Sequence, residues 1–362
     1  MSSLIALIRR AILPLLVTLP LALALPASAQ ATGTATLRAP SSFGERAPVK
    51  IGVSGPFSGP SAPMGRSMRE GIRIAAAQIN AGGGLLGRRI ELVERDDEAS
   101  NELGAQIVRD FVNRERVVAG LGIVNTGVAL ASQRHYQTAR IPVITSVATG
   151  TLITRQFQPP EFAENYVFRV SANDTLQARA IGSFAATQLS ASRYAALDDG
   201  TPYGKGLTDG AAAQLKAENK EVVVRKSFDD KTVEFDALAG ELKAARVEVI
   251  VSTLNDFQAL ALLKALQKVG HTQVKLLGGD TVKTTDMAKG AGLIEGLYAT
   301  SPVLEAKEFT TGKPFLEKYI DAYQKPPAYG GHYSYDSTYV LTAAMQKAKS
   351  ADPKDIIKAM RT

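Results

Sequence analysis

From residue 49 onward, short apolar runs alternate with amphipathic segments of helical period. "VKIGVS" (49–54) reads as a buried strand. Over 65–81, Met68, Ile72, Ala75, Ala76 and Ile79 recur at helical spacing, with Arg66, Arg69 and Arg73 towards the other side. "RIELVER" (89–95) predicts the next strand, and Leu103, Ile107, Val108 and Phe111 mark a second helix. A strand at "VVAGLG" (117–122), a helix over 127–139 and a strand at "IPVIT" (141–145) continue the series. The pattern pauses over 150–170. It resumes with strands at "RYAALDD" (193–199), "EVVVRKS" (221–227), "VEVIVST" (247–253) and "QVKLLGG" (273–279). Helical segments separate them, such as 255–269 with Phe257, Leu260, Leu263 and Leu266. Strand and helix in strict alternation predict parallel sheets covered on both faces, so the fold class is α/β in two successive units of similar size. After "GLYATSP" (296–302) come three more helical segments and no convincing strand.

One stretch tests this reading. "INAGGGLLGRRIEL" (79–92) contains Gly82-x-Gly84-x-x-Gly87, the letters of a dinucleotide-binding loop. That loop needs a strand before the glycines and a helix after them, because only then does the helix N-terminus face the pyrophosphate. Here the order is reversed, so the glycines are expected to end a helix and turn the chain. Other enzyme signals are equally thin. "GTPYGKG" (200–206) lacks P-loop spacing, no G-x-S-x-G elbow occurs, and His135, His271 and His332 are isolated from one another. No catalytic residue, metal-ligand cluster or cofactor motif is read from the chain, and the expectation is a protein that is not an enzyme.

The N-terminus changes the cellular picture. Arg9 and Arg10 precede the apolar run "AILPLLVTLPLALAL", and Ala27-Ser28-Ala29 is a small-x-small cleavage site. This is the pattern of a secretory signal peptide over 1–29, followed by a small, polar leader over 30–47. There is no cysteine, which excludes disulfides, thiolate metal sites, a thiol nucleophile and a lipoprotein anchor. The mature chain is expected to be free in an exported compartment, the periplasm. The formal charge is +7; losing Arg9 and Arg10 leaves 40 basic against 35 acidic residues, or +5. The charges are interleaved rather than striped, which argues against a nucleic-acid surface.

With these features in place, "VKIGVSGPFSGPSAPMG" (49–65), with Ser58-Gly59-Pro60 and Gly65, and Ile79-Asn80 before Gly82-Gly83 resemble the opening of the branched-chain amino-acid type of periplasmic substrate-binding protein. "YVFRVSANDTLQARAI" (166–181) resembles that family's crossover between lobes. "DDGTPYGKGLTDG" (198–210) and "GHYSYDSTYVLTAAMQKA" (331–348) match further along. The resemblance runs over nearly all of 48–350. It implies two Rossmann-like lobes joined at a hinge of three crossing strands, the type I periplasmic-binding fold. The first lobe would comprise 48–169, the second 170–300, and 301–349 would return to the first. A C-terminal helix occupies 350–362. Family members continue past this point with a third crossing and a closing segment, whereas this chain stops at "IIKAMRT". The resemblance further implies a monomer that captures a small solute, without cofactor, and delivers it to an inner-membrane ABC permease.

A zwitterion in such a fold lies beyond the C-terminal ends of the strands, its carboxylate at a helix N-terminus. "GIVNTGVALASQ" (122–133) offers this arrangement, with Asn125 or Thr126 as N-cap. In the family this loop holds the ligand carboxylate through serines. Val124-Asn125-Thr126 stand there here, leaving Thr126 and the Gly127 N–H for the task; the alternative is a plain N-cap. By resemblance, Ala148 and Thr149 meet the α-substituents, and Asp280, in "LLGGDT", pairs with the ammonium; a loop or helix-cap role is the alternative for each. Tyr203 matches an aromatic that covers the ligand, Leu254 and Asn255 another cleft position, and Met64 a first-lobe cleft wall; loop packing or exposure is the alternative for each. Similar-looking proteins take aromatic carboxylates, amides or urea-like solutes, or act as sensory modules for a receptor, and the sequence leaves these readings open.

Overall fold

A computed structural model of the protein describes residues 46–362. The signal peptide expected over 1–29, and all but the last two residues of the expected leader, lie outside the described residues.

The first sheet contains β1 (Val49–Gly55), β2 (Ile90–Asp96), β3 (Ala119–Gly122), β4 (Val143–Thr145) and β5 (Val167–Arg169), in the order β2-β1-β3-β4-β5. Every pairing is parallel; Ile51, for example, sits between Leu92 and Ala119. Helices α1 (Ala62–Ala81), α2 (Asn101–Asp110) and α3 (Thr126–Ala139) make the crossovers. The chain then passes to α4 (Asp174–Gln188) and a second parallel sheet of β6 (Arg193–Asp198), β7 (Glu221–Ser227), β8 (Val249–Ser252), β9 (Lys275–Gly278) and β10 (Gly296–Ala299), in the order β10-β9-β8-β6-β7. Its crossovers are α5 (Pro202–Ala217), α6 (Asp236–Ala244) and α7 (Asp256–Lys268). Helices α8 (Gly312–Tyr323), α9 (Gly331–Ala348) and α10 (Pro353–Met360) close the chain. The alternation read from the sequence is thus the fold.

Each sheet is buried on both faces, which is why its central strands read as unbroken apolar runs. Val49, Ile51 and Val53 of β1 pack with Met68 and Ile72 of α1 and with Leu341 and Met345 of α9. Helix α9 therefore covers the first sheet although it follows the second in sequence. Its start touches α1 closely: a Cβ at Gly71 would lie 2.1 Å from the Gly331 carbonyl oxygen. The two strands absent from the apolar pattern, β5 and β10, are both sheet edges. They are three and four residues long and half-exposed, so neither carries a continuous apolar run.

The glycine stretch resolves into two turns. Helix α1 ends in a Schellman arrangement: the Gly84 N–H donates to Ile79 O (2.9 Å) and the Gly83 N–H to Asn80 O (3.2 Å), with Gly83 at φ 103°. Leu85 and Arg88 then exchange both backbone hydrogen bonds around Leu86 and Gly87, each at positive φ, as a tight I′ turn requires. The motif reverses the chain into β2.

The turn from β2 to α2 is unusual. Glu98 and Ala99 both hold positive φ (51° and 58°). The neighbouring carboxylates impose this, Asp96 Oδ1 accepting from the Glu98 N–H (3.0 Å) and Asp97 Oδ1 from the Ala99 N–H (3.0 Å). Ser100 then caps α2 by accepting from the Leu103 N–H. Asp97 is fully buried, and its second carboxyl oxygen has no partner.

Candidate functional site

Residues that follow β1, β8 and β9 line a common cavity: Pro63 and Met64 from the first lobe, Asp256, Lys283 and Thr284 from the second. On the first lobe the decisive turn follows β3. Ile123 holds φ 64°, a left-handed conformation that costs a β-branched residue about 1–2 kcal/mol. Neighbouring loops hold it there: the Ile123 N–H donates to Ser54 O (2.8 Å), and Ile123 O accepts from the Ala148 N–H (3.2 Å). The turn delivers Asn125 to the start of α3. Asn125 occupies the N-cap without making the side-chain cap bond; its Nδ2 reaches Ser61 Oγ (3.4 Å) and its Oδ1 is buried without a partner. Thr126 is buried, and its hydroxyl accepts from the Gly150 N–H (3.3 Å), tying α3 to the loop after β4. Gly127 packs against Asn101, 2.7 Å from where a Cβ would stand.

The loop after β4 holds Ala148 and Thr149, both buried. Arg169 clamps this loop from β5, donating to Thr149 O (2.7 Å), Gly150 O (3.1 Å) and Thr154 Oγ1 (2.6 Å). Thr149 O also accepts from the Asp174 N–H across the lobe boundary (3.0 Å).

On the second lobe Asp280 follows β9 and is 5% exposed. Tyr203 Oη donates to its Oδ1 (2.7 Å), and Gln177 Nε2 donates to the same oxygen (2.9 Å). Gln177 also donates to Thr300 Oγ1 (2.9 Å) at the end of β10. Tyr203 is itself placed by the start of α5, where Thr201 Oγ1 accepts from the Gly204 N–H (3.0 Å).

Two further expected positions, Leu254 and Asn255, follow β8. The Leu254 side chain is fully buried with Leu262, Leu263 and Leu276, while its carbonyl oxygen accepts from Thr281 Oγ1 (3.0 Å) in the turn after Asp280. Asn255 forms a capping box with Gln258 at the start of α7 and donates to Asp199 Oδ2 (3.3 Å). Its side chain holds lobe-two loops together. Met64 lines a cavity of about 630 Å³ between the lobes, with Tyr329 beside it and Asp256 and Thr284 opposite. An ion pair between Lys283 and Glu305 spans the rim of this cavity.

The structure adds four residues that sequence reasoning missed: Asp174, Gln177, Tyr329 and Tyr333. Tyr329 and Tyr333 stack edge to face, ring centroids 5.4 Å apart, and both hydroxyls are buried without a partner. Burial raises both phenols well above their ordinary range, and the Asp280 carboxylate raises them further, so all stay protonated donors. Tyr203 behaves alike, from burial first and then from Asp280 and Asp174. Burial also pushes the Asp174 carboxyl up to about 7, while the Thr149 hydroxyl and the Arg169 guanidinium hold it down and Asp280 raises it. A cluster of protonated phenols around a buried carboxylate suits a small polar ligand that brings its own cation. The available signal was Tyr333 at the opening of α9, in a segment noted for its resemblance, with Tyr329 four residues before it.

The chain matches the periplasmic binding protein family over residues 48–362. It belongs to that family. Among relatives, an amino acid binding protein of Pseudomonas aeruginosa is 28% identical over 310 residues, covering 85% of this chain and 80% of its own length. A Leu/Ile/Val-binding protein homologue of Brucella abortus is 27% identical, with 87% and 82% covered. The crystal structure of the leucine binding protein LivK of Thermotoga maritima superposes with a TM-score of 0.78 at 26% identity, covering 86% of this chain and 87% of that one. A solute binding protein of an ABC transporter from R. palustris, solved with benzoate, superposes with a TM-score of 0.76 at 23% identity, with 87% and 85% covered. The fold is accordingly that of the type I periplasmic binding proteins, two α/β lobes with parallel sheets around a solute cleft.

Proposed function

We propose that this periplasmic binding protein is the exported, monomeric solute-binding component of an ABC importer and that it captures a small hydrophobic amino acid, branched-chain or related. The observation that carries this reading is Asp280: a buried carboxylate at a strand end, with two donors fixed on one oxygen and the other left to meet a cation. A desolvated ammonium needs such a partner. The ligand carboxylate takes the opposite wall, at the α3 N-terminus, where the Thr126 turn and the helix dipole favour an anion. Tyr203, Tyr329 and Met64 supply the apolar walls. Closure about the crossing segments buries the charges, and the joined lobes form the surface that an inner-membrane permease reads.

An aromatic carboxylate would gain from the three tyrosine rings but would leave Asp280 without a cation. Thermal unfolding and calorimetry of residues 30–362 with L-leucine, L-isoleucine, L-valine and benzoate separate the two readings. The amino-acid reading expects stabilisation of about 2.7 kcal/mol at a hundredfold excess over Kd, lost in Asp280→Ala. Stabilisation by benzoate alone, unchanged in Asp280→Ala, refutes it.

A further inference from the structure

The reading above uses only the amide nitrogen of Gln177, as a donor to the central carboxylate; its amide oxygen has no role there. Gln177 is 4% exposed on the inner face of α4. Its amide orientation is fixed chemically: Asp280 Oδ1 can only accept, so the nitrogen must face it at 2.9 Å, and the same nitrogen reaches Thr300 Oγ1. The amide oxygen is therefore turned to the other side. That oxygen, Oε1, is fully buried and has no partner. Buried acceptors in native proteins are paired in the great majority of cases, and an unpaired one is costly. One helical turn earlier, on the same face of α4, Asp174 Oδ1 is likewise buried without a partner. Asp174 lies one turn from Gln177 on α4 and Gln177 donates to Asp280, so the three groups are neighbours. Gln177 Oε1 thus receives no hydrogen bond from a backbone N–H or from an amide or hydroxyl side chain of the protein.

We infer that Gln177 is a specificity-determining residue of the cleft, its Oε1 accepting one N–H of a protonated primary amine whose charge is held by Asp280. A primary ammonium carries three N–H donors in tetrahedral array. Asp280 takes one, and Gln177 takes a second from the side. The inference rests on the amino-acid reading and sharpens it: the site selects the number of N–H groups, not only the positive charge. Because the same amide holds Thr300 on the crossing segment, amine capture also bears on the hinge. A benzoate-like solute brings no donor and leaves Oε1 unpaired.

The test is isothermal titration calorimetry on the full mature chain, with L-leucine, L-isoleucine and L-valine and with the N,N-dimethyl derivative of L-leucine. Dimethylation keeps the charge and leaves one N–H, enough for Asp280 alone. Wild type is expected to bind N,N-dimethyl-L-leucine at least tenfold more weakly than L-leucine. Gln177→Met, which keeps the length and apolar contacts, is expected to weaken L-leucine about ten- to a hundredfold and to narrow the gap between the two ligands. Equal binding of both ligands by wild type overturns the inference without any variant and therefore stands even if Gln177→Met fails to fold. So does a folded Gln177→Met that binds L-leucine within twofold of wild type, since Oε1 then meets water. Asp280→Ala separates the two levels. If it abolishes L-leucine binding while Gln177→Met does not weaken it, the inference alone falls. If Asp280→Ala leaves binding intact, or if wild type binds none of the three amino acids, the reading beneath it falls as well.

Discussion

Asp97 provides a stability test that is independent of the ligand. Its carboxyl is fully buried at the end of β2, accepts one hydrogen bond from the Ala99 N–H, and leaves its second oxygen unpaired. Burial pushes it up to about 7 from 3.8; the Ala99 N–H holds it down and the neighbouring Asp96 raises it. Between these two values the native state keeps a proton that the unfolded chain has already lost. The native state then binds more protons, so stability falls as pH rises through that window and the loss is complete just above pH 7. Three pH units correspond to about 4 kcal/mol at most. Asp97→Asn keeps the shape and the Ala99 acceptor but cannot ionise. Urea unfolding at pH 5 and pH 8 measures the effect. Wild type is expected to lose roughly 2–3 kcal/mol more than Asp97→Asn between the two conditions. The buried Asp174 titrates in both proteins and cancels from the difference. Parallel pH profiles for wild type and variant would refute the reasoning, because they would mean that Asp97 ionises without cost in the fold.

Three further outcomes follow from contacts described above. Tyr203→Phe removes the hydroxyl that donates to Asp280, and calorimetry should show amino-acid affinity falling about tenfold, the scale of one hydrogen bond to a charged group. Gly71→Ala drives a Cβ to 2.1 Å from the Gly331 carbonyl oxygen and must push α1 from α9; chemical denaturation should show a loss of at least about 1–3 kcal/mol, the scale of overpacking. Lys283→Ala breaks the rim ion pair with Glu305, and because both partners are half-exposed the ligand affinity should change by no more than about fivefold and lose that change in high salt.

The fold was legible because a parallel sheet buried on both faces leaves a simple trace, an apolar run bounded by amphipathic helices. The runs at 49–54, 193–199 and 247–253 became β1, β6 and β8 for that reason. The edge strands β5 and β10 left no such trace, being short and half-exposed. The reversed order around Gly82-x-Gly84-x-x-Gly87 was enough to reject a nucleotide site, and the Schellman and I′ turns supply the reason. The candidate site was harder to read. Asp280 was visible as a residue just past a strand end, a position that chemistry favours, and Tyr203 only through the resemblance of its segment. Gln177 was not, because nothing in "NDTLQAR" reveals that its amide meets residues 280 and 300. Ile123 was hidden for the opposite reason: a β-branched side chain argues against the left-handed backbone it adopts. Strand-end position alone did not reveal that the Leu254 side chain faces the core.

Among the described residues two segments join the lobes, one leaving β5 for α4 and one leaving β10 for α8. They are not independent, since the Ala172 N–H donates to Pro302 O (3.3 Å) and the Gln177 amide reaches Thr300. Mechanically, a single tether is a swivel, free to bend and to twist. Two tethers pinned to each other form a door hinge, compliant about one axis and stiff about the rest. The open protein should therefore sample an arc rather than a cone of orientations. Little rotational freedom then remains to be lost when the cleft shuts, and the Thr149 and Asp280 walls should meet in register on every closure.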